Sequence, residues 1–275
     1  MSRPLRRLLF LAIAAIALTP ASITIPAPAD ERMPVDIELV LAVDVSYSMD
    51  TDEQALQREG YISALTSSEF LDALRKGAHG RIAVTYVEWA GFSDQKVIIP
   101  WQLIDGRASA EAFASRLAEA PIRRAYRTSI SGALLFSAGL FQNSGFKGIR
   151  RVIDVSGDGT NNQGDLIEPT RDDVIAKGIT INGLPIILKT PNTSMIDIPD
   201  LELYYEDCVI GGPGAFMVPA RERSQFAAAI RNKLVLEVAG MTPRERSLIV
   251  PVVSPPRISC TIGERMWQQR WGGGG

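Results

Sequence analysis

Asp44, Ser46 and Ser48 stand at alternate positions directly after the apolar run Leu39-Val40-Leu41-Ala42-Val43. The run is short and rich in branched side chains, which predicts a buried central strand of a parallel sheet. A carboxylate and two hydroxyls at the carboxyl end of such a strand lie where open α/β sheets place their ligand sites. Oxygen donors with no Cys or His among them suit a hard divalent cation, Mg²⁺ first, with Mn²⁺ or Ca²⁺ as alternatives. Two later stretches offer the same kind of group. One is Tyr126-Arg127-Thr128-Ser129-Ile130-Ser131-Gly132, and the other is Val152-Ile153-Asp154-Val155-Ser156-Gly157-Asp158-Gly159.

A site drawn from three separate stretches needs a scaffold that brings strand ends together. Apolar runs alternate with amphipathic ones along the chain. Strands are expected at Ile37–Val43, Ile82–Trp89, Val97–Trp101, Val152–Ser156, Ile179–Ile187 and Ala215–Val218. Helices are expected at Asp52–Thr66, Ser109–Ala120, Ile130–Phe141, Pro169–Lys177 and Ser224–Ala239, the last with Gly240 as its stop. Ile130, Leu134, Ala138 and Phe141 recur at three- and four-residue spacing, the stripe of a helix packed on a sheet. The link from Trp89 to Val97 is too short for a crossover helix, so that pair is expected as an antiparallel hairpin at an edge. The pattern as a whole predicts an α/β, doubly wound, Rossmann-like sheet of six mostly parallel strands, with one antiparallel edge strand and helices on both faces.

The chain has 275 residues, 46% of them hydrophobic and 22% charged, enough for one full core with extensions. It carries no basic stripe and no long run of like charge, which argues against nucleic acid as a partner. Arg3, Arg6 and Arg7 precede eleven apolar residues, Leu8 to Leu18. That order is a secretory signal, and the stretch is short for a membrane span. Ala27-Pro28-Ala29 offers a small-residue cleavage site, so 1–29 is read as a signal peptide. Membrane attachment is expected only if that segment stays uncleaved. Its removal leaves 26 basic against 31 acidic side chains, a net charge of −5. The expected location is periplasmic or secreted.

Cys208 and Cys260 can pair in an oxidising compartment, or stand as two buried thiols. With a single His and no Cys-x-x-Cys, a zinc or thiol-redox centre has little support. After Met241 the chain turns Pro-rich and ends in four glycines, so 242–275 is read as an extension that wraps the domain or hangs from it.

Asp44-Val45-Ser46-Tyr47-Ser48 resembles the first segment of the metal-ion-dependent adhesion site of von Willebrand factor type A domains. Thr128, ahead of a small-residue helix start, resembles its second segment, and Asp158-Gly159 its third. The three occur in the right order, and the resemblance covers roughly Val35 to Ala239, with the domain taken as 33–241. It implies that Ser46, Ser48 and Thr128 supply hydroxyl oxygens to the ion. Asp44 and Asp158 would hold coordinated waters or orient the hydroxyls. It further implies a non-catalytic module that captures a protein partner through a carboxylate at the open metal position. Tyr86-Val87-Glu88-Trp89-Ala90 and Tyr205-Glu206-Asp207-Cys208-Val209-Ile210-Gly211-Gly212-Pro213-Gly214 resemble stretches of an uncharacterised group of bacterial exported proteins of this kind.

The chain departs from the family pattern at Arg127, where many members have glycine; Arg123 and Arg124 lie close by. Three cations there could steer an acidic partner or simply be solvated. Asp154 is either a support for the site or a structural residue bonded to neighbouring backbone. Glu88-Trp89, at the end of the second strand, either line the same face or are explained more simply by Trp89 in the core and Glu88 exposed. The rival reading is a haloacid-dehalogenase-type phosphatase. Gly157-Asp158-Gly159-Thr160-Asn161-Asn162 resembles a segment of that family, and Asp44 would be its nucleophile. Against it, Ser46 replaces the usual second Asp and Asn162 replaces a magnesium ligand.

Overall fold

The computed structural model describes residues 31–188, 198–240 and 257–271, and the described residues from Arg32 onward belong to one compact unit. The expected signal segment, 1–29, lies outside the described residues.

Five strands form one sheet in the order β3-β2-β1-β4-β5. They are β1 (Met33–Asp44), β2 (Ile82–Trp89), β3 (Gln95–Ile104), β4 (Phe146–Gly157) and β5 (Thr180–Pro185). All neighbouring pairs are parallel except β2 with β3, the hairpin expected at the edge. The run that ends in Asp44 is the central strand, flanked by β2 and β4.

The sixth expected strand, Ala215–Val218, does not form. Met217 and Ala220 run parallel beside β5 but make only isolated bridges, to Gly183 and Ile186. The reason is local. The Phe216 N–H is taken by the Asn182 side chain at 2.8 Å, and Pro219 has no N–H to give. Gly211 pairs the opposite way with Ile181, so the direction changes within a few residues. The sheet edge is covered without a continuous ladder.

The helices are α1 (Thr51–Thr66), α2 (Ser68–Arg75), α3 (Arg107–Glu119), α4 (Ile130–Leu140), α5 (Ile167–Ala176), α6 (Leu201–Tyr204), α7 (Phe226–Ala239) and α8 (Ile262–Trp271). A π-helical turn, Tyr205–Val209, continues α6. The pleat of β1 divides the core. Leu39, Leu41 and Val43 pack with α1, α2, α3 and α7, whereas Val40 and Ala42 pack with α4, α5 and the α6 segment. Burying each such aliphatic side chain contributes about 1.5–3 kcal/mol. Three helices, α2, α6 and α8, were not foreseen from the sequence. They are short, and α8 lies in the stretch expected to be an irregular extension. Among the described residues no helix is long and apolar enough to cross a membrane.

Candidate metal centre

The three predicted segments meet at the carboxyl edge of β1 and β4. The first turns sharply after β1, because the Ser46 N–H bonds back to Asp44 Oδ1 at 2.7 Å. Two residues past Ser48, Asp50 caps α1 by accepting from Glu53 N, while Glu53 Oε2 accepts from Asp50 N. Such a reciprocal cap is worth about 1 kcal/mol and fixes where the loop ends. The loop is also stitched to the second segment, since Tyr47 N donates to Ala125 O at 3.0 Å and Ala125 N to Val45 O at 3.0 Å.

The hydroxyls form a chain. Ser46 Oγ lies 2.7 Å from Ser48 Oγ, which donates to Asp158 Oδ1 at 2.5 Å. Thr128 is buried, and its hydroxyl lies 3.9 Å from the place where a Cβ on Gly159 would stand. Asp44 sits beneath, wholly buried, and its Oδ2 has no hydrogen-bond partner. A Cβ on Gly157 would lie 2.8 Å from that oxygen, so only glycine fits above it. Burial, followed by repulsion from Asp158, pushes the Asp44 carboxyl up to about 8; hydrogen bonds from Ser46 and from the Asp158 backbone pull the other way and do not offset it. Among the described residues, no lysine or arginine pairs with Asp44.

Sequence reasoning missed the residues that hold these loops. Thr128 N donates to Asn162 Oδ1 at 3.1 Å, and Asn162 N returns a bond to Thr128 O at 2.9 Å. Asn161 Oδ1 accepts from Ser131 N at 3.0 Å, and Asn161 N donates to the Tyr204 hydroxyl at 3.1 Å. In the sequence, Asn161-Asn162 stands out only within the segment that resembles a phosphatase. Two adjacent asparagines after a strand-end Asp-Gly were the available signal.

Arg127 adopts φ +75°, the left-handed region, and is the only described residue other than glycine to do so. The chain therefore keeps the backbone shape that glycine would take, at a cost of about 1–2 kcal/mol. Its guanidinium compensates by lying 3.4 Å above the centre of the Trp267 ring. The neighbouring arginines are engaged too. Arg123 pairs with Asp94, and Arg124 donates to Tyr47 O at 2.8 Å while lying over the Tyr47 ring. They are not a free, solvated patch.

Two expectations at the margin need correction or completion. Glu88 is buried rather than exposed, because Arg58 reaches it at 2.7 Å. Asp154 bonds to no neighbouring backbone and instead forms an ion pair with Lys233 of α7.

The donors fit a hard cation. They are hydroxyls and carboxylates, one buried carboxylate oxygen is unsatisfied, and Ser48 opens to solvent. Among the described residues no group of three or more acidic, histidine or cysteine side chains could hold a metal, so any ion at this edge depends on the hydroxyls.

This sheet order, with the Asp-x-Ser-x-Ser, Thr and Asp-Gly segments meeting at one edge, gives the chain a von Willebrand factor type A-like fold. The chain belongs to the family described as "Protein of unknown function (DUF1194)", whose profile matches residues 34–242. No curated protein matches it. Among solved structures it is similar to proximal thread matrix protein 1 from the mussel byssus, at 14% identity and TM-score 0.53, covering 76% of this chain and 49% of that one. A structure of the same mussel protein "with zinc occupied MIDAS motif" matches at 14% identity and TM-score 0.50, covering 76% and 49%. The pilus adhesin SpaC from Lactobacillus rhamnosus GG matches at 12% identity and TM-score 0.54, covering 75% and 31%. The chain thus spans about half of the mussel structures and under a third of the adhesin. At these identities the likeness concerns the fold.

Proposed function

We propose that this protein is an exported, non-catalytic binding module that captures a protein partner through a divalent ion at the Asp44–Ser48, Thr128 and Asp158 edge. The observation that carries the reading is the wholly buried Asp44, with an unsatisfied oxygen and no protein cation, beneath the hydroxyl chain of Ser46 and Ser48. A buried, unpaired carboxylate is costly, and a bound cation offsets that cost. Ser46, Ser48 and Thr128 would hold the ion directly, with Asp44 and Asp158 acting through waters or by orienting the hydroxyls. The ion, Mg²⁺ in the first instance and Mn²⁺ or Ca²⁺ otherwise, would supply an electrophilic position for a partner's carboxylate. The mussel structure with zinc in its MIDAS motif supports a divalent ion on this fold without choosing among metals. The phosphatase reading is disfavoured because a nucleophile must reach its substrate, and Asp44 is enclosed with Oδ1 tied to Ser46 N.

Export is supported by the charged-then-apolar amino terminus and by the Cys208–Cys260 disulfide, with Cα atoms 5.5 Å apart. We assign 1–29 to a signal peptide, 33–241 to the domain and 242–275 to an extension. Calorimetry on the mature protein tests the site. One Mg²⁺ or Mn²⁺ should bind, and Asp44→Ala or Asp158→Ala should weaken it about 10- to 100-fold with the fold intact. Equal affinity in both variants would reject the assignment. The partner is tested by pull-down from the native envelope: EDTA should abolish capture and Mg²⁺ restore it, with Thr128→Ala mimicking chelation. Partners retained equally with and without EDTA would move the binding surface elsewhere.

A further inference from the structure

The helix α8 lies beyond the part of the chain that the family profile matches, yet it touches two of the three metal-site loops. Its start is fastened by the disulfide from Cys260 to Cys208, at the end of the α6 segment. Gly263 then lets the helix press onto the third loop. A Cβ at that position would lie 2.1 Å from Asn161 O and 2.4 Å from Thr160 Oγ1, so no other residue fits without displacement. The next residue makes a specific contact: Glu264 Oε1 accepts from Asn161 Nδ2 at 2.7 Å. One turn further, the Trp267 ring carries the Arg127 guanidinium.

Each contact ends on a residue that is itself joined to the site. Asn161 bonds to Ser131 N, at the start of α4, and stands three residues after Asp158. Arg127, in the left-handed backbone conformation, immediately precedes the buried Thr128. A left-handed arginine with no support would relax to an extended or right-handed shape. Trp267 gives it a fixed partner in the required orientation.

We propose that α8 is a positioning element of the metal site, in which Glu264 and Trp267 hold the second and third loops in the ion-binding arrangement before any ion arrives. The inference rests on the metal reading of Asp44, Ser46, Ser48, Thr128 and Asp158, and extends it to a segment outside the matched domain. An ordered loop presents its donors without having to be ordered by the ligand, which is the general advantage of preorganisation.

The test compares the full mature chain with its Glu264→Ala/Trp267→Ala double variant, disulfide intact in both. Amide hydrogen exchange, with metal removed, is followed at 126–129 and 158–162. Exchange there should rise about tenfold in the double variant, while the centres of β1 and β4 stay protected. Mn²⁺ affinity by calorimetry should fall about tenfold, within the range seen for supporting residues around metals. The pair Glu264→Gln and Trp267→Phe keeps an acceptor and a ring, and should restore most of both readouts. Unchanged exchange in the two loops, or affinity within twofold of the parent, overturns the proposal. If the parent itself binds no Mn²⁺, the metal reading fails. The exchange comparison then still decides whether α8 orders the loops.

Discussion

Two buried carboxylate regions share this sheet and solve the same electrostatic problem differently. Midway along β4, Asp154 faces α7, where Lys233 Nζ lies 2.7 Å from its Oδ1 and 3.1 Å from Glu237 Oε1. Asn182 adds bonds to both Glu237 oxygens at 2.7 and 2.8 Å. At the carboxyl edge, Asp44 has no such cation among the described residues. Burial raises both aspartates, Asp154 to about 6 and Asp44 to about 8. For Asp154, the second cause, Lys233, pulls down, whereas for Asp44 the second cause, Asp158, pushes further up. Where the sheet is sealed, the chain carries its own cation. Where it meets solvent at Ser48, the described residues place no cation beside Asp44.

The largest effect should come from breaking the sealed region. Lys233→Met leaves Asp154 and Glu237 facing each other with no cation, and stability should drop by about 3–5 kcal/mol. Urea unfolding would show it. A loss under 1 kcal/mol would mean that the lysine does not neutralise this cluster.

The pH response should separate the regions. Both aspartates hold their proton more tightly in the folded than in the unfolded protein, whose ordinary value is 3.8. Their contribution is therefore fully present below about 4 and is lost as pH rises, through about 6 for Asp154 and about 8 for Asp44. With EDTA present, the urea midpoint should decline across that window. Asp44→Asn should remove the part between 6 and 8, and saturating Mg²⁺ should flatten the same part in the parent. A parent curve that stays level from pH 6 to 8 under EDTA would contradict the account of Asp44.

The smallest effect concerns the loop backbone. Arg127→Gly relieves a left-handed arginine and loses its stacking on Trp267, two terms of about 1 kcal/mol and opposite sign. Thermal unfolding should shift by only a few degrees, while the 126–129 loop exchanges faster. A large loss of stability would show that the stacking outweighs the strain.

Much of this fold is legible in the sequence. The run before Asp44 could be read as a central strand because a strand buried on both faces must be apolar at every position. The Ile130–Phe141 stripe could be read because helix packing repeats every three to four residues. The three oxygen-bearing segments stand at strand and helix boundaries; residue chemistry points to Asp44, Ser46 and Ser48, and the resemblance to von Willebrand factor type A domains adds Thr128 and Asp158. What the sequence could not determine depended on partners far along the chain. Ala215–Val218 has the residues of a strand, yet Asn182 and Pro219 deny it a ladder. Glu88 reads as a surface residue until Arg58 of α1 folds against it. Asp154 finds its cation 79 positions later at Lys233, and Arg127 finds its ring at Trp267. Propensity and periodicity act over a few residues, so they declare elements and their ends. Which buried charge is paired within the protein, and which is left open, is decided only when distant side chains meet.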